Sequence, residues 1–266
     1  MKYVLKTFTK KLLADTLTPV NIYLKLRDVF AGSILLESSD YHGHENSLSF
    51  ICCDPIATFQ VVGNDVESRY PDGNITHETL SGTGQVTTML EAFRNSFEPP
   101  KNPTKYVNCG LFGYMAYDSI RFFEDVTITQ RDACIPDILY KLYRYVIIVD
   151  HFSNELNLFE HCWDGNPSCV SSLDRVEQII LSNRFATYHF ALTDKETSNV
   201  DDDEFLRIVE KGKEHCYRGD VFQIVLSRRF TTAFKGDEFN VYRSLRSINP
   251  SPYLFYFDYG SFKLFG

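Results

Sequence analysis

The sequence predicts an α+β fold, mostly antiparallel sheet packed with helices, and three observations carry that prediction. Short apolar runs recur along the chain, separated by turn clusters such as Gly63-Asn64-Asp65 and Asp72-Gly73-Asn74, which is the pattern of hairpins. Helical periodicity returns between them, clearest at Val86, Met89, Leu90, Phe93 and Phe97. Strands and helices do not alternate regularly, which argues against a doubly wound parallel sheet.

Taken in order, Thr18-Pro19-Val20 reads as a cap followed by a first-turn proline, opening a helix that runs to about Leu26. Strands are expected at Ser33–Glu37, Leu48–Ile51 and Ala57–Val62, and a helix at Gln85–Phe97. Pro99-Pro100-Lys101-Asn102-Pro103 is a surface loop, and Gly110–Asp118 reads as a buried strand with close-packing glycines. Tyr140–Asp150 and Leu156–Cys162 form a long hairpin, covered by a helix at Ser171–Ser182. The polar run from Thr193 to Asp203 marks the domain boundary. That gives an N-terminal domain at 1–192, a linker at 193–203 and the start of a second domain at 204–266. Beyond it come a helix from Asp203 to Arg218, ended by Gly219, a strand at Val221–Phe230 and a helix at Phe239–Ile248. The last segment, from Asn249 to Gly266, is an aromatic hairpin turning at Asp258-Tyr259-Gly260. So aromatic a final strand is expected inside a larger sheet, with further partners beyond residue 266.

Composition narrows the function. Lys and Arg number 27 against 35 Asp and Glu, a formal charge of −8, and no basic stripe is visible; nucleic-acid binding is not expected. An apolar share of 44% suffices for a packed core. No apolar run is long enough for a membrane span, and the first ten residues do not resemble a signal peptide. Seven cysteines without paired spacing suit reduced, buried thiols in a cytoplasmic protein, Cys52 and Cys53 being strand core.

A few residues stand out chemically. In the expected strand Val221–Phe230, Phe222, Ile224 and Leu226 share one face, and Gln223 lies on the other with Val221, Val225 and Ser227. An amide buried there unpaired would cost about 1–3 kcal/mol. It is therefore either a satisfied core glutamine or a substrate-side group. His42-Gly43-His44-Glu45 lacks the paired spacing of a closed zinc site and reads as a solvated loop. Arg228 and Arg229 suit surface pairing or an anionic substrate, and Asp201-Asp202-Asp203 a helix N-terminus.

Several motifs together carry a resemblance. They are Thr18-Pro19-Val20 with Tyr23–Leu26, Leu35-Leu36-Glu37-Ser38, Ser49-Phe50-Ile51 with Asp54-Pro55, Gly113-Tyr114 with Tyr117-Asp118, Asp150-His151, Gly219–Phe230 and Asn249–Tyr253. In that order they resemble the anthranilate synthase component I family of chorismate-utilising enzymes, over essentially the whole chain. The resemblance implies a β/α sandwich. It also implies conversion of chorismate and ammonia to anthranilate and pyruvate, a lyase reaction of tryptophan biosynthesis that uses Mg²⁺. The ammonia would come from glutamine through an amidotransferase partner, component II. The family's Mg²⁺ ligands and acid/base groups have no matching segment here, so no catalytic or metal residue is assigned. Relatives that add water to chorismate carry lysine at the Gln223 position; a neutral glutamine suits ammonia instead.

By the same resemblance, Glu37, Ser38, Asn249, Pro252, Tyr253 and Leu254 are expected to bind L-tryptophan as feedback inhibitor. Glu37 and Ser38 would serve its ammonium, directly or by shaping the loop, and Pro252, Tyr253 and Leu254 would line an indole slot. From the residues alone, a strand end and a proline-punctuated turn suffice. Two positions depart from the family: Ser47 stands where many members are basic, and Cys52 replaces the glycine of Phe-Ile-Gly. Aminodeoxychorismate synthase component I and a non-catalytic tryptophan-binding fragment are the alternatives.

Overall fold

The computed structural model describes residues 2–38, 47–99, 104–128 and 135–266. The His42–Glu45 loop and part of the Pro99–Pro103 loop lie outside the described residues. The elements are β1 (Tyr3–Leu13), α1 (Pro19–Arg27), β2 (Ile34–Ser38), β3 (Leu48–Val62), β4 (Asp65–Arg69), β5 (Ile75–Thr79), α2 (Gln85–Asn95), β6 (Phe97–Glu98) and β7 (Leu111–Met115). They continue as β8 (Ile138–Asp150), β9 (Glu155–Trp163), α3 (Leu173–Leu181), β10 (Phe190–Leu192), β11 (Thr197–Ser198), α4 (Asp202–Arg218), β12 (Phe230–Thr231), β13 (Phe234–Gly236), α5 (Phe239–Ile248), β14 (Tyr253–Asp258) and β15 (Lys263–Phe265). Sheet strands are mostly antiparallel, as the α+β reading requires. No helix among the described residues is long and apolar enough to cross a membrane.

Strands β3 and β8 form the spine. They pair from Leu48↔Asp150 to Val61↔Ile138, with a bulge between Pro55 and Ala57. The sequence reads as two strands because Asp54-Pro55 looks like a turn. The chain instead absorbs it as a bulge, with Asp54 at φ 60°. On one side of the bulge β3 pairs with β2, and on the other with β4. Strand β8 likewise pairs with β9 and then β7. The order along the sheet is β15-β14-β2-β3-β8-β9-β1-β6.

The bulge also separates two cores. Ala57, Phe59 and Val61 pack with Ile138, Leu142, Val86 and Phe93, the last two from α2. Cys52, Tyr143, Val146 and Ile148 pack instead with Ile34, Phe159 and Phe257. Each large side chain buried completely contributes about 1.5–3 kcal/mol. Cys52 and Cys53 are both fully buried, as expected of strand core. On the opposite face of β2 and β3 lies α1, started by Thr18, whose hydroxyl accepts from the Asn21 amide at 3.2 Å.

Contacts divide the described chain into residues 1–186 with 245–266, and residues 187–244. The terminal hairpin pairs with β2 and so belongs to the larger unit. In the smaller unit, α4 is capped by Asp201, which accepts from the Glu204 amide at 2.7 Å, and ends at Gly219 with φ 77°. The expected strand Val221–Phe230 does not form: only Phe230 and Thr231 are strand, paired with β11. Apolar alternation alone makes no strand without a neighbouring ladder, and among the described residues none pairs with 221–229.

The expectation of reduced thiols is corrected at one pair. Cys162 and Cys169 are bonded, with Cα atoms 5.7 Å apart. A turn after β9 brings them together: the Asn166 amide donates to the Trp163 carbonyl and the Cys169 amide to the Asn166 carbonyl.

Close backbone approach makes Gly113 decisive. A Cβ on Gly113 of β7 would sit 1.8 Å from the Leu139 carbonyl oxygen of β8. Gly113→Ala is expected to lower stability by about 2 kcal/mol or more in urea unfolding, whereas Gly82→Ala, in open space, stays within about 0.5 kcal/mol.

A second prediction concerns acid. Fully buried His161 donates from Nε2 to the Asn108 carbonyl at 2.7 Å, so its Nδ1 accepts from the Thr7 hydroxyl at 2.8 Å. Burial pushes its pKa down, against the raising effect of the Asn108 carbonyl and the Glu160 charge. The folded state then binds fewer protons than the unfolded state, so its stabilisation is complete above the ordinary histidine value of about 6.5 and lost as pH falls below it. Urea midpoints should fall between pH 7.5 and pH 5, with His161 titrating by NMR below an ordinary exposed histidine; a midpoint that rises on acidification would contradict this.

Candidate functional site

The two halves of the expected site meet. Strand β14 pairs antiparallel with β2, Tyr253 opposite Ser38 and Leu254 opposite Glu37, without register shift to Phe257↔Ile34. Because β side chains alternate, this pairing sorts the residues onto two faces.

Ser38, Leu36, Tyr253, Phe255 and Phe257 share one face, with Phe50 of β3 opposite Leu36. That face borders a cavity of about 1130 Å³, walled on the far side by Phe112, Gly113 and Tyr114 of β7. Phe50 and Phe112 rings lie 6.3 Å apart. Glu37 and Leu254 also border the cavity, although alternation along the paired strands turns their side chains to the other face. The β7 wall is held by a fork of Arg121 on Asp137, Nη1 to Oδ1 at 2.9 Å and Nη2 to Oδ2 at 2.8 Å, just before β8.

Glu37 and Leu254, one position out of phase, project to the reverse face. There Tyr256 meets Tyr23 of α1, ring centroids 5.6 Å apart. The side chain of Glu37 is only 5% exposed and pairs with Arg246 of α5 at 3.0 Å. Ser49, opposite Glu37, hydrogen-bonds through Oγ to His151 Nε2 at 2.8 Å. Burial lowers the His151 pKa, opposed by Glu37 and Asp150 and assisted by Arg246. Burial alone would raise the Asp150 carboxyl, but the Ser153 amide, Lys105 and the Tyr106 hydroxyl hold it well below the carboxylate range.

Ser47, neutral where a cation was the family pattern, donates from Oγ to the Ser38 carbonyl at 2.9 Å. Asn249 and Pro252 are exposed in the α5–β14 connection, Tyr253 is 79% exposed and Leu254 is buried. Gln223 lies elsewhere, exposed in the 221–229 segment of the smaller unit. This corrects its placement inside a paired strand. Ile224 and Leu226 still reach α4, packing at Gly212. Arg228 makes a surface pair with Asp202 at 2.6 Å, and Asp201 caps α4. The sequence reading missed Phe112, Phe255 and Arg246. The i, i+2 aromatic alternation of β14 signalled Phe255, but nothing local signalled Arg246.

A family model described as chorismate binding enzyme matches residues 33–266. The chain belongs to this family. Among curated relatives it is 32% identical over 270 residues to anthranilate synthase component 1 of Aquifex aeolicus (strain VF5), covering 96% of this chain and 53% of that one. It is 30% identical over 269 residues to anthranilate synthase component 1 of Neisseria gonorrhoeae, covering 97% and 54%. The chain spans about half the length of the curated relatives it matches. The fold is similar to the crystal structure of anthranilate synthase component I from Streptococcus pneumoniae TIGR4, with a TM-score of 0.61 at 20% identity, covering 97% of this chain and 57% of that one. The cavity is mostly apolar and aromatic in its lining. Among the described residues no three His, Cys, Asp or Glu side chains are grouped so as to hold the Mg²⁺ that the resemblance implied.

Proposed function

We propose that this chain is part of an anthranilate synthase component I, acting on chorismate and ammonia to give anthranilate and pyruvate, and that its cavity holds L-tryptophan as feedback inhibitor. The observation that carries the tryptophan reading is the β2–β14 register. It sets Ser38 beside Tyr253 at the mouth of an aromatic cavity. An indole needs an apolar slot, and Phe50, Phe112 and Phe255 provide one. An α-ammonium needs acceptors, and the Ser38 hydroxyl and nearby backbone carbonyls provide them. Glu37 would contribute through the fold, since its carboxylate is engaged by Arg246 at 3.0 Å.

Glutamine-derived ammonia from a component II partner and a cytoplasmic location belong to the same proposal. Inhibition would require tryptophan to favour an arrangement less able to bind or turn over chorismate.

Calorimetry tests the proposal. L-Tryptophan should bind with one site per chain, and Ser38→Phe should abolish binding by filling the mouth while leaving the unfolding midpoint within a few degrees. Equal binding by both proteins removes Ser38 from the site.

A further inference from the structure

The reverse face of β2 carries an arrangement that the cavity alone does not explain. A carboxylate 5% exposed must keep a cation, because stripping its partner leaves a buried charge. Glu37 takes that cation from Arg246, near the end of α5, 3.0 Å away. The same chain then runs through residues 247–252, stiffened by Pro250 and Pro252, and returns as β14 with Leu254 paired to Glu37 itself. An ion pair at one end and a strand ladder at the other thus close a short loop onto a single residue of β2. That loop carries Asn249 and Pro252, and its exit residue Tyr253 lies opposite Ser38.

The two partners are unequal. The Arg246 side chain is 45% exposed and can rehydrate when released, whereas Glu37 cannot. His151 and Asp150 lie within electrostatic reach but are engaged otherwise, His151 with Ser49 and Asp150 with Lys105, Tyr106 and backbone amides.

We propose that Arg246 is a positioning residue for the cavity: its ion pair with Glu37 clamps the α5–β14 connection, and so fixes Ser38 and Tyr253 in the geometry that receives an α-amino acid. The ligand part rests on the tryptophan reading; the clamp itself does not. Arg246 touches no ligand and acts through β2.

The test uses the whole protein with two readouts, L-tryptophan affinity by calorimetry and amide hydrogen exchange at Glu37, Ser38, Tyr253 and Leu254. Arg246→Gln should weaken tryptophan binding about tenfold and speed exchange at those four amides, with core amides of β3 and β8 unchanged. Arg246→Lys should restore most of both, and Glu37→Gln with Arg246→Gln should bind no worse than Arg246→Gln alone. A merely structural loss would instead lower protection throughout and leave affinity unaltered. If the unaltered protein binds tryptophan and Arg246→Gln binds it equally, the positioning role is overturned. If the unaltered protein binds none, the tryptophan reading falls and exchange alone decides the clamp: unchanged exchange in Arg246→Gln overturns it.

Discussion

The long β3–β8 ladder is the constraint on which the rest depends. It pairs from Leu48 to Val61, and one bulge, between Pro55 and Ala57, decides what each half can bind. Before the bulge the outer edge of β3 accepts β2; after it, β4. A residue other than glycine at positive φ costs of order 1–3 kcal/mol, and the ladder on either side holds Asp54 there. The bulge keeps the two cores apart, so α2 closes one half while the other remains lined by aromatic side chains around a cavity.

From that spine the site follows by simple alternation. Once β14 pairs with β2, every second residue must face the cavity and the remainder must face α1. Ser38 and Tyr253 fall on the cavity side; Glu37 and Leu254 fall behind. The cavity-side groups suit contact with a ligand, and those behind suit alignment. A regulatory ligand works through a difference in affinity between two arrangements, so groups that set alignment matter as much as groups that touch it.

Much of this was legible in the sequence, for local reasons. The caps at Thr18 and Gly219, the α2 periodicity and the β8–β9 hairpin rest on interactions within a few residues, and each appears where the sequence places it. The pairing of Glu37-Ser38 with Tyr253-Leu254 was legible only through family resemblance, because no local rule links residues so far apart. Three features were not legible. Asp54-Pro55 carries turn chemistry, and only the continuous β8 partner turns it into a bulge. Val221–Arg229 alternates like a strand, but a strand is a property of the ladder, and that ladder is missing among the described residues. The Cys162–Cys169 bond needs the turn after β9, which seven-residue spacing alone does not announce. Arg246 was silent because a basic residue near a helix end is ordinary until a buried carboxylate is found beside it.

The central claim is that β2 and β14 pair in one register and so divide ligand-touching from aligning residues. A crystal structure of the protein grown with L-tryptophan tests it most directly. The account predicts ligand density between the Ser38–Tyr253 pair and Phe112, with the Glu37–Arg246 ion pair intact on the opposite face of β2. Density on the reverse face against Glu37, or a β2–β14 register shifted by one residue, would contradict it.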